Sequence, residues 1–180
     1  MQQPDISELL KECRGQNETA FRRLVEMYQS MVYTFAFRML CNEDDAKDAV
    51  QETFIKVWKN IHKYDPDLKF STWLFAIASN HCCDKLRFRK RRQNTDNIES
   101  IHFALLTDNL ETTVSNSDLA KTIHSLTDKL TPKQKLIFTL RDLQELEVEE
   151  VEKITGMSAA KIKSNLYLAR QFIKEQLEKY

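Results

Sequence analysis

Six polar side chains near the end of the chain have types suited to reading a polyanion: Lys161, Lys163, Ser164, Asn165, Tyr167 and Arg170. At helical spacing they fall on the side away from Ile162, Leu166 and Ala169. An ammonium reaches guanine acceptors, a carboxamide bonds adenine bidentately, and a hydroxyl accepts either kind of base edge. Lys163, Ser164, Asn165 and Tyr167 are the candidates for base edges, with Lys161 and Arg170 on backbone phosphates. A solvated helix face has the same pattern, so this stripe does not decide the matter alone.

Three further groups stand earlier. Arg87, Arg89, Lys90 and Arg91 belong to the tract Arg87-Phe88-Arg89-Lys90-Arg91-Arg92, dense enough in cations to follow a phosphate backbone. Tyr64, Asp67, Lys69 and Phe70 lie in one loop, with Asn80 on the segment after it. Together they set hydrogen-bonding groups beside flat rings. For Phe70 and Trp73 a core role fits better than a stacking platform. Asp44, Asp45, Asp48, Gln51, Glu52 and Lys56 form a mainly acidic stripe, which suits a protein partner and repels DNA.

Catalytic chemistry has no comparable foothold. There is no P-loop, HExxH or nucleophile-elbow motif, so no enzyme, cofactor or small-molecule substrate is expected. Cys13, Cys41, Cys82 and Cys83 form neither a CxxC pair nor a disulfide framework. His81 beside Cys82 and Cys83 is no metal site, because helix neighbours one and two apart diverge. No apolar run reaches 18 residues and the N-terminus lacks a secretory pattern, so a cytoplasmic protein with no membrane insertion is expected.

The elements that must position these groups are helices. The 180 residues include only 2 Gly and 3 Pro, too few for a turn-rich β fold, and 42% are hydrophobic. Apolar residues at spacings of three and four predict a helix over Thr19–Leu40 and a second, capped by Asn42, to about Ile61. Pro66 marks a loop. Ser71 or Thr72 is expected to cap a third helix ending in the basic tract. Residues 93–118 are rich in Asn, Thr, Ser and Asp and predict a flexible linker, with a short helical turn around Ile101–Leu106. Beyond it, helices are expected over Leu119–Leu130, from Thr131-Pro132, over Val148–Thr155 and over Ser158–Lys179, with Ser158 as an N-cap. A short helix, a Gly-containing turn and a longer helix make a helix-turn-helix. The fold expected is all-α: two small helical domains, 1–92 and 119–180, joined by the linker.

Lys+Arg and Asp+Glu both number 27, so the net charge is zero, which by itself speaks against a nucleic-acid partner. The distribution reverses that reading. Residues 61–93 hold 8 basic and 3 acidic side chains and residues 153–180 hold 6 and 2, while residues 94–118 hold 5 acidic and no basic ones. Two positive blocks, each beside an acidic stretch, suit a polyanion partner.

These motifs resemble a known family. Leu130-Thr131-Pro132, Leu140-Arg141-Asp142, Glu149-Glu150-Val151, Ile154-Thr155-Gly156-Met157-Ser158, Ile162-Lys163-Ser164 and Ala169-Arg170 look like region 4 of an extracytoplasmic-function (ECF) sigma factor of the sigma-70 family. Asp44 to Phe54, Phe70-Ser71-Thr72-Trp73-Leu74 and Ile77-Ala78-Ser79-Asn80 look like sigma region 2. The resemblance implies an alternative sigma factor, active in transcription initiation, whose partners are core RNA polymerase, promoter DNA and an anti-sigma factor. It implies that region 2 melts the −10 element through the loop and basic residues above, and that region 4 reads the −35 element through a recognition helix from Ser158 to about Gln171. The Asp44–Lys56 stripe would dock on the polymerase. Glu147 stands where many members carry a Ser or Thr cap, and Asn165 and Leu168 where basic residues are frequent. An operator-binding regulator and a pure interaction module remain open on the residues alone. The linker of 26 residues can extend to roughly 85 Å, enough to span two duplex turns of roughly 70 Å.

Overall fold

The structure, a computed structural model, describes residues 6–96, 125–127 and 129–178, without the side chains of 93–96. Among these residues every regular element is helical.

Helix α1 (Ile6–Arg14) was not anticipated by the sequence reading, although Leu9, Leu10 and Cys13 recur at helical spacing and are buried. Helix α2 (Glu18–Leu40) starts where the Asn17 carboxamide oxygen accepts from the Ala20 N–H at 3.1 Å. It buries a stripe through Leu24, Val32, Phe35 and Met39, and ends at Cys41, whose left-handed backbone (φ 51°) returns its N–H to Phe37 O. Helix α3 (Glu43–Asn60) is capped as expected, the Asn42 side chain accepting from the Asp45 N–H at 2.9 Å. Glu43, Asp44 and Asp45 occupy its first turn, where the N-terminal dipole favours anions.

A 3₁₀ turn (Ile61–Lys63) leads into the loop before helix α4 (Phe70–Asp96). The expected cap at Ser71 or Thr72 is wrong, because the helix already includes Phe70. The Lys69 carbonyl accepts from Thr72 and Trp73, and Thr72 is buried. Phe70 is drawn inward by an aromatic cluster, its ring 5.0 Å from Tyr28 and 5.5 Å from Tyr64. At its far end α4 runs through the basic tract to Asp96, four residues into the expected linker.

The second half opens with α5 (Pro132–Phe138). Thr131 and Gln134 form a reciprocal capping box, at 3.2 and 3.0 Å, with Pro132 in the first turn. The helix then widens into a π segment, Thr139–Leu143, in which the Gln144 N–H bonds Thr139 O. Helices α6 (Val148–Thr155) and α7 (Ala159–Leu177) follow. Of the helix expected over Leu119–Leu130, 125–127 is described and helical, whereas 129 and 130 are not helical, the Leu130 N–H bonding Thr127 O at 3.2 Å; the turn around Ile101–Leu106 lies outside the described residues.

The halves pack against one another. One continuous apolar cluster joins Leu24, Phe35 and Leu74 of the first half to Leu136, Ile137, Val151, Ile154 and Ile162 of the second. Helix α4 is the contact platform, touching both α5 and α6.

Candidate nucleic-acid interface

The turn between α6 and α7 is built by Gly156. Its φ of 67° lies in the left-handed region, and its N–H closes on Glu152 O at 2.8 Å. Ser158 has the extended backbone of an N-cap, but its hydroxyl makes no capping bond. Glu152 reaches across from α6 instead and accepts the Ala159 N–H at 2.6 Å. A carboxylate at the positive end of the helix is electrostatically better placed than a neutral hydroxyl. Glu147 likewise starts α6 without a side-chain cap.

Helix α7 buries Ile162, Leu166, Ala169 and Ile173 and turns Lys161, Lys163, Ser164, Tyr167 and Arg170 outward. Tyr167 is 63% exposed and Leu168 beside it 49%. Asn165 is only half-exposed and donates to Lys161 O at 2.8 Å, which occupies part of its carboxamide. Arg170 is held bidentately by Asp142, at 2.8 and 2.6 Å, and so is pinned to the end of the π segment.

In the first half the loop residues sit around a cavity of about 440 Å³. Tyr64 and Phe70, 6% and 4% exposed, form its floor and do not stand on the surface. The Tyr64 hydroxyl donates to Leu68 O, and the Arg14 guanidinium to Tyr64 O. The rim is basic, from Lys11, Arg14 and Lys69. Lys11 and Arg14 belong to α1 and were missed by the sequence reading; their amphipathic spacing with Leu10 was the available signal. Asp67 is exposed in a turn closed by its N–H on the Asp65 carboxylate, at 3.0 Å. A shallower hollow of about 290 Å³ brings together Asn80, Trp73 and Lys56, so a residue assigned to DNA and one assigned to the polymerase share a wall.

The basic tract divides by direction. Arg89 turns inward to Leu40 O at 2.8 Å and to the Asp45 carboxylate, and Lys90 donates to Leu130 O at 2.7 Å. Arg87, Phe88, Arg91 and Arg92 face outward. On α3, Asp44 and Gln51 are exposed, as is Lys56, while Glu52 is half-buried. Asp45 is spent on α4, with Lys85 at 2.7 Å in addition to Arg89, and Asp48 bonds Lys85 at 2.5 Å. Burial pushes the Asp45 carboxyl up, but the bonds from Lys85 and Arg89 outweigh it and hold it below the ordinary carboxylate value. Among the described residues no cluster of His, Cys, Asp and Glu could hold a metal ion, and no helix is long and apolar enough to cross a membrane.

Comparison with known proteins decides the family. Residues 24–92 match the model of sigma-70 region 2 and residues 120–173 that of sigma-70 region 4. The sigma factor SigV of Bacillus subtilis (strain 168) is 31% identical over 147 residues, 82% of this chain and 84% of its own. The chain belongs to the ECF group of the sigma-70 family.

The ECF sigma factor SigW of the same organism is 28% identical over 181 residues, 96% of each chain. In structure, the sigma factor RpoE from Bartonella quintana, solved with the anti-sigma factor NepR, is 23% identical. It aligns with a TM-score of 0.68 over 88% of this chain and 96% of its own, a likeness of fold. In this ECF sigma factor the region 2 match begins at residue 24, so α1 and its side of the cavity precede it.

Proposed function

We propose that the chain is an alternative sigma factor that joins core RNA polymerase in the cytoplasm and directs initiation at promoters of its own. Residues 1–92 open the −10 element, residues 119–180 read the −35 element, and 93–118 join them. The observation that carries this reading is the presence of both sigma regions, in order, in one chain. The basic-rimmed cavity with an aromatic floor supports a role for the Tyr64–Ser71 loop at an unpaired base. Exposed Lys161, Lys163, Ser164 and Tyr167 support a reading role for α7. Asp44, Gln51 and Lys56 are open to a polymerase contact, whereas Asp45 and Asp48 first have to leave α4. An anti-sigma partner fits the same reading, since a protein of this fold is solved with one.

The test is reconstitution. Core polymerase with this chain should yield transcripts from a specific promoter set that core polymerase alone does not. Lys163→Ala and Ser164→Ala should each lose about 1–3 kcal/mol of discrimination at one −35 position while core binding stays intact. A chain that never binds core polymerase overturns the proposal.

A further inference from the structure

Phe88 has no part in holding the fold together. It is 58% exposed and absent from the apolar clusters and their partly buried rims. The recorded contact of its ring is with Arg92, whose guanidinium carbon lies 5.8 Å from the centroid. On the helical wheel of α4, Arg87 and Arg91 stand within about 20° of Asn80 and Phe88 about 80° round from it. The ring thus flanks a stripe of outward polar groups on a helix whose apolar residues otherwise turn inward.

Both the ring and its surroundings constrain the occupant. Arg89 and Lys90 are engaged inward, but Arg87, Arg91 and Arg92 face outward around the ring, Arg87 at 2.7 Å from Asp84, and this outward cationic excess favours an anionic ligand. An exposed ring offers a flat face, which rewards a ligand with flat faces of its own. Nucleic acid combines the two. Within a duplex both faces of an internal base are already stacked, so the base must come from a strand that has opened.

We propose that Phe88 stacks on an unpaired base of melted promoter DNA, with Arg87, Arg91 and Arg92 at the neighbouring phosphates. This rests on the reading that residues 1–92 open the −10 element and adds a contact made only after strand opening. Phe88 therefore contributes to the open complex and not to the first duplex encounter. Arg92, already beside the ring, adds a cation–π contact to the stack.

The experiment uses holoenzyme reconstituted from core polymerase and the full chain, on promoters with 2-aminopurine at successive positions of each strand near the −10 element. Wild type should quench one position on opening. Phe88→Ala should remove that quench and shorten open-complex lifetime about 5- to 150-fold, leaving initial duplex binding and core affinity unchanged. Phe88→Trp should restore both; Phe88→Lys, which keeps a cationic surface, should not. The proposal is overturned if Phe88→Ala behaves as wild type, if Phe88→Lys rescues, or if the alanine variant loses core affinity, which would assign the ring to a protein contact. Those results leave the sigma reading standing. A wild-type holoenzyme that opens no promoter removes that reading, and the stacking role with it.

Discussion

The four thiols show how unequal residues of one type become inside a fold. Burial, helped slightly by its neighbour Cys83, pushes the Cys82 thiol up to about 12, and burial pushes Cys83 up to about 11, with its sulfur 3.9 Å from Pro132 O. Cys41 is only half-buried, at the end of α2, and accepts from the Lys135 ammonium at 3.6 Å. The thiolate is the nucleophile, so iodoacetamide at pH 8 should label Cys41 first in the native protein. Cys82 and Cys83 should react only after denaturation, as mass spectrometry of peptides can follow; early labelling of Cys82 would contradict the packing. The sequence reading expected buried thiols but had no way to single out Cys41. Arg170 is a parallel case. Its charge and exposure were legible, whereas its clasp by Asp142, 28 residues earlier, is made by tertiary contact.

At the scale of elements, α3 and α4 are joined by a short electrostatic lattice of Asp45, Asp48, Lys85 and Arg89. Because the folded-state pKa of Asp45 is depressed, its contribution is present above the unfolded value, about 3.9. It disappears as pH falls through the lower folded value. Asp45→Asn should cost about 1–2 kcal/mol at pH 7. The gap between variant and wild type in urea melts should close as the medium is made strongly acidic; a gap that stays constant down to pH 2 would exclude this cause. The caps that begin α2, α3 and α5 follow local rules, and Asn42 and Thr131 were legible for that reason. Ser158 obeyed the same rule and lost to Glu152, a competitor six positions back that only the folded turn brings within reach of the Ala159 N–H. The π segment was illegible too, since no periodicity of three and four announces one extra residue in a turn.

For the whole molecule the decisive fact is that region 4 rests on region 2. Helix α6 touches α4, and packed helix axes lie about 8–10 Å apart, whereas two duplex turns span roughly 70 Å. The docked form cannot place both regions on elements that far apart. Helix α4 takes four residues from the expected linker, and the 22 remaining to Asp118 still reach roughly 73 Å when extended. Labels at the exposed positions Arg23 and Gln171 should therefore separate by tens of ångströms when core polymerase binds, read by energy transfer; an unchanged distance would mean that this arrangement is the working one. The two halves were legible from charge blocks and motifs, but their contact was not. It depends on Leu136, Val151 and Ile154, which look like ordinary core residues of their own half.

The same docking has a thermodynamic side. Lys69 is bound to Glu150 at 2.8 Å and Lys90 to Leu130 O, so one cation of the loop expected at a base and one expected at phosphates are engaged by region 4. Each phosphate contact withheld lowers the steepness of the salt dependence by about 0.9 in log K per decade of salt, because fewer condensed counterions are released. The closed chain thus has less entropic gain from displaced ions on random DNA than the open one. Opening restores that gain only where polymerase has already brought the promoter within reach.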